Sequence, residues 1–144
     1  MATAYKTRFV KPYKEKNGKP VVNLPTCAKC YESGVYLIKS DRTGKIIYIG
    51  YSATNLYKTI TRHFQKWNDK KQNRFVYDKN KYTIRVIFTT SERAALLEKY
   101  LIEKLQPRDN KMKYENYLTE RESAQAERIE KNAEFISVLE DAPF

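Results

Sequence analysis

Two short apolar runs, Gly34-Val35-Tyr36-Leu37-Ile38-Lys39 and Lys45-Ile46-Ile47-Tyr48-Ile49-Gly50, flank the tetrapeptide Asp41-Arg42-Thr43-Gly44. Both runs are rich in β-branched and aromatic residues, and Asp-x-x-Gly favours a type I turn with a glycine bulge, so the pattern predicts a β-hairpin. A three-residue loop over 42–44 places Tyr48 opposite Ile38 and Tyr36 one diagonal step away, with both phenols on one face. Beyond it, Leu56, Ile60, Phe64 and Trp67 fall at helical spacing, with Ser52 or Thr54 available as N-cap. Phe75, Val76 and Tyr77 could form a short strand, and residues 82–88 alternate Ile84, Val86 and Phe88 against Thr83, Arg85 and Ile87, a longer one. Thr89 to Glu92 fits a capping box, with Ser91 as a competing cap, for a helix that runs to about Leu105 and is ended by Pro107. A second capping box, Thr119 to Glu122, opens a helix on which Ile129, Ala133, Ile136 and Leu139 keep helical period. The expected order is β-β-α-β-α-α, without an internal repeat.

Residues 1–32 read differently. Pro12, Pro20 and Pro25 alternate with Lys6, Arg8, Lys11, Lys14, Lys16 and Lys19. Proline is excluded from helix interiors and central strands, so an extended basic arm is expected, with Tyr5, Phe9 and Tyr13 available to dock it. The division is then 1–32 arm, 33–114 domain and 115–144 acidic C-terminal helix.

The chain has 144 residues, 41% hydrophobic and 13% aromatic, enough for one domain with a real core. No stretch approaches 18 apolar residues and the N-terminus lacks an apolar signal core, which argues against a membrane partner and a secreted protein. Absent targeting signals and two unpaired-looking cysteines give cytoplasmic location, in a bacterial or phage-encoded setting, as the expectation. Net charge is +11, unevenly spread: residues 1–114 hold 25 basic and 9 acidic side chains, residues 115–144 hold 3 and 8. A charge of +16 on the first part calls for a polyanion, with nucleic acid ahead of a merely basic surface. Lys58, Arg62 and Lys66 line one face of the first helix, and Lys70, Lys71 and Arg74 follow in a basic linker; the first and the last four of these are the expected phosphate contacts. Cys27 and Cys30 are the only cysteines and His63 the only histidine. That is too few ligands for a closed zinc site without a carboxylate, so two reduced thiols are expected.

Glu98 carries the most information. It sits inside the apolar stripe formed by Ala94, Leu97, Leu101, Ile102 and Leu105. Burying a carboxylate costs about 2 kcal/mol or more unless it is paired or binds a metal. A salt bridge to a residue such as Arg62 is one solution; a functional site beside the same-face tyrosines is the other.

Gly34-Val35-Tyr36, eleven residues and then Tyr48-Ile49-Gly50 resemble the two signature tripeptides of the GIY-YIG nucleases, with Val35 in place of isoleucine. Asn55-Leu56, His63-Phe64, Ala95-Leu96-Leu97-Glu98, Ile102, Leu105, Pro107 and Asn110 extend the likeness over about residues 33–114. The resemblance implies an α+β fold, a small three-stranded antiparallel sheet flanked by helices, and hydrolysis of a DNA phosphodiester with one divalent metal, Mg²⁺ or Mn²⁺. It implies Tyr36 as general base, Tyr48 as the group orienting the water or phosphate, and Glu98 as the sole protein ligand of the metal. Asn110 then braces the site, and His63 helps proton transfer or holds a phosphate. One departure stands out: the family's arginine position is Thr59, which carries no charge, leaving Arg62, one turn on, or Lys58 to reach the same phosphate. The alternative is a catalytically weak or inactive protein of the same fold. It would bind nucleic acid or form part of an oligomer or larger assembly, such as a phage particle, through its N-terminal arm.

Overall fold

A computed structural model describes residues 4–23, 32–64, 77, 80–114 and 117–136. Strands β1 (Ala4–Lys6), β2 (Tyr13–Lys16), β3 (Lys19–Val22), β4 (Gly34–Ser40) and β5 (Ile46–Ser52) precede helix α1 (Leu56–His63). Then come β6 (Tyr82–Thr89), α2 (Ser91–Leu105), α3 (Glu120–Asn132) and the two-residue β7 (Glu134–Phe135). The fold is α+β, but the sheet has five strands, in the order β5-β4-β6-β1-β7, and β2 and β3 form a separate ribbon.

The expected hairpin is present with Ile38 opposite Tyr48 and Tyr36 opposite Gly50. A bulge between Ile38 and Lys39 shifts the remaining pair to Lys39 with Ile46, which absorbs the residue that a regular ladder would have placed there. Strand β4 pairs on its other side with β6, antiparallel, from Gly34 opposite Phe88 to Ser40 opposite Tyr82. These three are the strands the hydrophobic pattern predicts.

The extra strands show that the segment expected as an extended basic arm docks on its own domain. Ala4–Lys6 pairs antiparallel with residues 87–89 of β6 and parallel with Glu134–Phe135. Ala4 and Thr7 are fully buried, and the Thr7 hydroxyl accepts from the Val86 N–H at 3.1 Å. Residues 13–22 turn back through Asn17 and Gly18, at φ 54° and 76°, the left-handed pair that a tight hairpin turn requires. An Asn-Gly between two short runs is a strong hairpin signal, and the neighbouring prolines obscured it. Pro20 is tolerated because β3 belongs to a two-stranded ribbon, not to the centre of a sheet.

Helices α1 and α2 begin one or more residues away from their expected caps. Asn55 caps α1, its side-chain oxygen accepting from the Lys58 N–H at 3.1 Å, while Ser52 instead accepts from the Asn55 N–H. Thr90 caps α2, and Gln106 in the left-handed region closes it one residue before Pro107. The capping box of α3 forms as expected, but the helix stops at Asn132 and residues 134–135 extend the sheet instead of continuing the helical period. Trp67, Phe75, Val76, Cys27, Cys30 and Leu139 lie outside the described residues; Tyr77, the described residue of the expected short strand, is not in a strand. No helix among the described residues is long and apolar enough to cross a membrane.

The sheet buries both faces. Val35, Leu37, Ile49 and Ile87 pack against Ala94, Leu97, Leu101 and Ile102 of α2, with Ala126 and Ile129 of α3 behind. The acidic helix therefore covers its own domain. On the opposite face Tyr36, Ile38, Ile84, Val86 and Phe88 pack against Leu56, Ile60 and Phe64. The two faces meet at β5, the edge strand, and that edge is where the site lies.

Because β1 is an internal strand, deleting residues 1–10 should lower the free energy of unfolding by roughly 3 kcal/mol or more through its lost hydrogen bonds and buried groups. Urea unfolding reads this directly; an unchanged midpoint would mean that the segment is an appendage.

Candidate active site

A cleft of about 430 Å³ opens at the β5 edge, lined by Tyr36 and Tyr48 from the hairpin, Thr59 and His63 from α1, and Glu98 from α2. Asp109, Asn110 and Lys111, from the segment after α2, complete it with Tyr51 and Tyr114. Five of the residues singled out in the sequence, Tyr36, Tyr48, His63, Glu98 and Asn110, thus converge from four parts of the chain.

The two phenols come together because the strand register puts them on one face, with ring centroids 6.1 Å apart. Tyr36 can lie across the strand only because Gly50, its cross-strand partner, has no side chain; a Cβ there would overlap the Tyr36 hydroxyl and ring. His63, in the last turn of α1 and 3% exposed, fills the space beside them, 5.5 Å from the Tyr36 ring and 5.0 Å from the Tyr48 ring. The Tyr36 hydroxyl and His63 Nε2 are hydrogen-bonded at 2.8 Å. The Tyr77 N–H donates to the His63 carbonyl at 2.6 Å and its ring stacks behind the imidazole, which holds the histidine from the rear.

Asn110 serves the edge of the sheet. Its side chain accepts from the Ile49 N–H at 2.9 Å and donates to the Ile49 carbonyl at 2.8 Å, so it satisfies both outward backbone groups of that residue. The Asp109 N–H bonds the Ile47 carbonyl at 2.9 Å, continuing the same pairing. Residues 109–111 are thereby laid along β5 at the mouth of the cleft.

The two carboxylates of the cleft are in opposite situations. Asp109 accepts from Arg108 and from the Tyr77 hydroxyl, the latter at 2.7 Å. Burial opposes its ionisation, but the hydrogen bonds from Arg108 and Tyr77 outweigh that and hold its carboxyl below the ordinary range. Burial, and then Asp109, push the Tyr77 hydroxyl strongly upward. Glu98 is half-buried and makes no hydrogen bond or ion pair with the described residues. Burial pushes its carboxyl up to about 7, with Lys99 pulling weakly the other way. The salt bridge to Arg62 that would have explained Glu98 structurally is not formed: Arg62 is exposed and does not line the cleft, and neither does Lys58. Thr59 does line it, its hydroxyl donating to the Asn55 carbonyl at 3.1 Å. Lys66, Lys70, Lys71 and Arg74 lie outside the described residues. Asp109 and Lys111 escaped the sequence reading; their one signal was adjacency to Asn110.

Residues 32–115 match the GIY-YIG catalytic domain, and the chain belongs to that family. It is 42% identical over 78 residues to the UvrABC system protein C of Chlamydia caviae, an alignment covering 54% of this chain and 13% of that protein. The UvrABC system protein C of Flavobacterium johnsoniae is 35% identical over 92 residues, covering 64% and 15%. That of Caldicellulosiruptor saccharolyticus is 33% identical over 90 residues, covering 62% and 14%. The chain therefore spans about a seventh of the length of these curated relatives. No solved structure matches it.

Two outcomes follow from this geometry. Gly50→Ala should displace the Tyr36 ring and lower stability by about 1–3 kcal/mol in thermal unfolding, as overpacking of a closed site does; an unchanged midpoint would refute the contact. In metal-free buffer, the Glu98 carboxyl binds its proton more tightly folded (about 7) than unfolded (4.5). The resulting penalty is absent below about pH 4.5, grows as the pH rises and is complete above about 7. Glu98→Gln should therefore match the wild type at pH 4 and exceed its stability at pH 8 by on the order of 2 kcal/mol. Equal stabilities at pH 8 would show that Glu98 is not held desolvated.

Proposed function

We propose that this chain is a nuclease that hydrolyses DNA phosphodiester bonds in the β5-edge cleft, with a divalent cation, Mg²⁺ or Mn²⁺, bound at Glu98. The observation that carries the reading is the hydrogen-bonded Tyr36–His63 pair in the same open cleft as a half-buried carboxylate with no described protein partner. Family membership supports it.

The donor set fits a hydrated cation. Among the described residues there is no cluster of three His, Cys, Asp or Glu side chains that could enclose an ion. The Asp109 oxygens are engaged, which leaves Glu98 as the one available carboxylate among the described residues of the cleft. A single carboxylate together with waters and phosphate oxygens is a combination that suits Mg²⁺, which gives up its hydration shell reluctantly. Bound there, the cation supplies charge neutralisation at the phosphate and at the departing oxygen.

The protein's own groups provide the base. A free phenol has a pKa near ~10 and is mostly protonated at neutral pH, so Tyr36 can accept a proton only if its own leaves at the same time. His63 Nε2, 2.8 Å from that hydroxyl, takes it when the imidazole carries its own proton on Nδ1. As a water attacks phosphorus, its proton passes to the Tyr36 oxygen while the Tyr36 proton passes to His63. The new P–O bond forms, the opposite P–O bond breaks, and the leaving oxygen is protonated from solvent. Burial of His63 among Tyr36, Tyr48 and Tyr77 fixes the imidazole for this relay, while Tyr48, half-exposed beside it, is placed to orient the water or phosphate. The alternative, an inactive nucleic-acid-binding or assembly component, draws on the neutral Thr59 at the family's arginine position; the N-terminal segment and the acidic helix are both used within this fold.

Incubated with supercoiled DNA and Mg²⁺ or Mn²⁺, the protein should nick it. Glu98→Ala should abolish nicking, and Tyr36→Phe should reduce it by at least about 10²-fold. Folded wild-type protein that leaves DNA of every form intact with either ion would overturn the nuclease reading.

A further inference from the structure

Three basic side chains follow α2, and they meet different fates. Arg108 is tied to Asp109 by hydrogen bonds of 2.8 and 3.1 Å, and the Lys113 ammonium donates to the Pro107 carbonyl. Lys111, between them, is exposed and makes no hydrogen bond or ion pair with the described residues. It also lines the cleft with Tyr36, His63 and Glu98, and among the described residues it is the only lysine or arginine that does so.

We propose that Lys111 grips a non-bridging oxygen of the reacting phosphate and offsets the charge that phosphorus gains on attack. The inference rests on the cleft being a phosphodiester-cleaving site. Such a site has an electrostatic requirement that the other described side chains of the cleft do not meet. A divalent cation at Glu98 would offset the charge of that carboxylate and the single charge of the substrate phosphate, but the five-coordinate transition state adds a further negative charge that remains to be met. Thr59 contributes a neutral hydroxyl that is already donated to Asn55, and Arg62 and Lys58 lie outside the lining. Among the described residues that line the cleft, Lys111 alone brings a fixed positive charge.

Its placement is built into the fold. Asn110 is clamped to both backbone groups of Ile49, and Asp109 to Ile47, so the chain enters Lys111 from a backbone anchored to the edge strand. A lysine needs that fixed root, because its four-carbon stem is otherwise free to wander. Pairing Arg108 with Asp109 and turning Lys113 onto Pro107 removes the two neighbouring cations from competition. It also spends Asp109 on Arg108, so the Lys111 ammonium is not neutralised by the carboxylate beside it.

The test is steady-state cleavage of an oligonucleotide duplex with Mg²⁺ by wild type, Lys111→Ala, Lys111→Arg, Glu98→Ala and, as a remote charge control, Lys131→Ala at an exposed position of α3. Thermal unfolding confirms that each variant is folded. Lys111→Ala should lower kcat by about 10²-fold, the size expected for losing one group that stabilises transition-state charge. Lys111→Arg should stay within tenfold of wild type, and Lys131→Ala should be unaffected. Wild-type kcat in Lys111→Ala, or a raised KM with kcat unchanged, overturns the role of Lys111 while leaving the cleft reading intact, provided that Glu98→Ala is inactive. A folded wild type without cleavage overturns both.

Discussion

The close approach of the Tyr36 ring to the bare backbone of Gly50 is the contact on which the site depends. It requires the register of the β4–β5 hairpin, since a slip of one residue would put Tyr36 and Tyr48 on opposite faces and bring a side chain under the ring. The bulge at Ile38/Lys39 sits on the turn side of the pair and leaves the register of 34–38 undisturbed. Once Tyr36 lies flat against the strand, its hydroxyl reaches the last turn of α1, and the 2.8 Å bond to His63 ties the helix to the sheet at the same point where the chemistry is proposed.

A second consequence concerns the edge of the sheet. An exposed edge strand leaves backbone groups open to other chains. Here the segment after α2 closes part of that edge through Asp109 and Asn110 and, in doing so, delivers Asp109 and Lys111 to the cleft. Edge protection and site assembly are the same set of hydrogen bonds. Against this ordered background Glu98 stands out as a local cost: a carboxylate drawn into an apolar stripe without a described partner destabilises the fold once it ionises.

The legible features were those written in local periodicity. The hairpin with its same-face phenols, the three helices and the misfit Glu98 all follow from spacing over fewer than about fifteen residues. The pairing of residues 4–6 with residues 87–89 and 134–135 does not, because a three-residue strand has no period of its own and gains its place only when distant partners exist. For the same reason α3 ended early: the apolar spacing of Ile136 and Leu139 fitted a helix, yet an open strand edge at β1 claimed residues 134–135. In the site, residue types with a motif around them, Tyr36, Tyr48, His63, Glu98 and Asn110, could be found in advance. Arg62 was a reasonable substitute by helical spacing, but three residues on from Thr59 its side chain faces solvent, and proximity in a helix does not decide which charge reaches a cleft made by four separate segments. Lys111 became visible only when its neighbours were seen to be occupied.

The most direct measurement is anomalous diffraction from a crystal of this protein grown with Mn²⁺ and an uncleavable phosphorothioate oligonucleotide. A single strong anomalous peak is expected against the Glu98 carboxylate, with a backbone phosphate between it and the Tyr36 hydroxyl. A peak elsewhere on the surface, with Glu98 turned away from the ion and the nucleic acid outside the cleft, would contradict it.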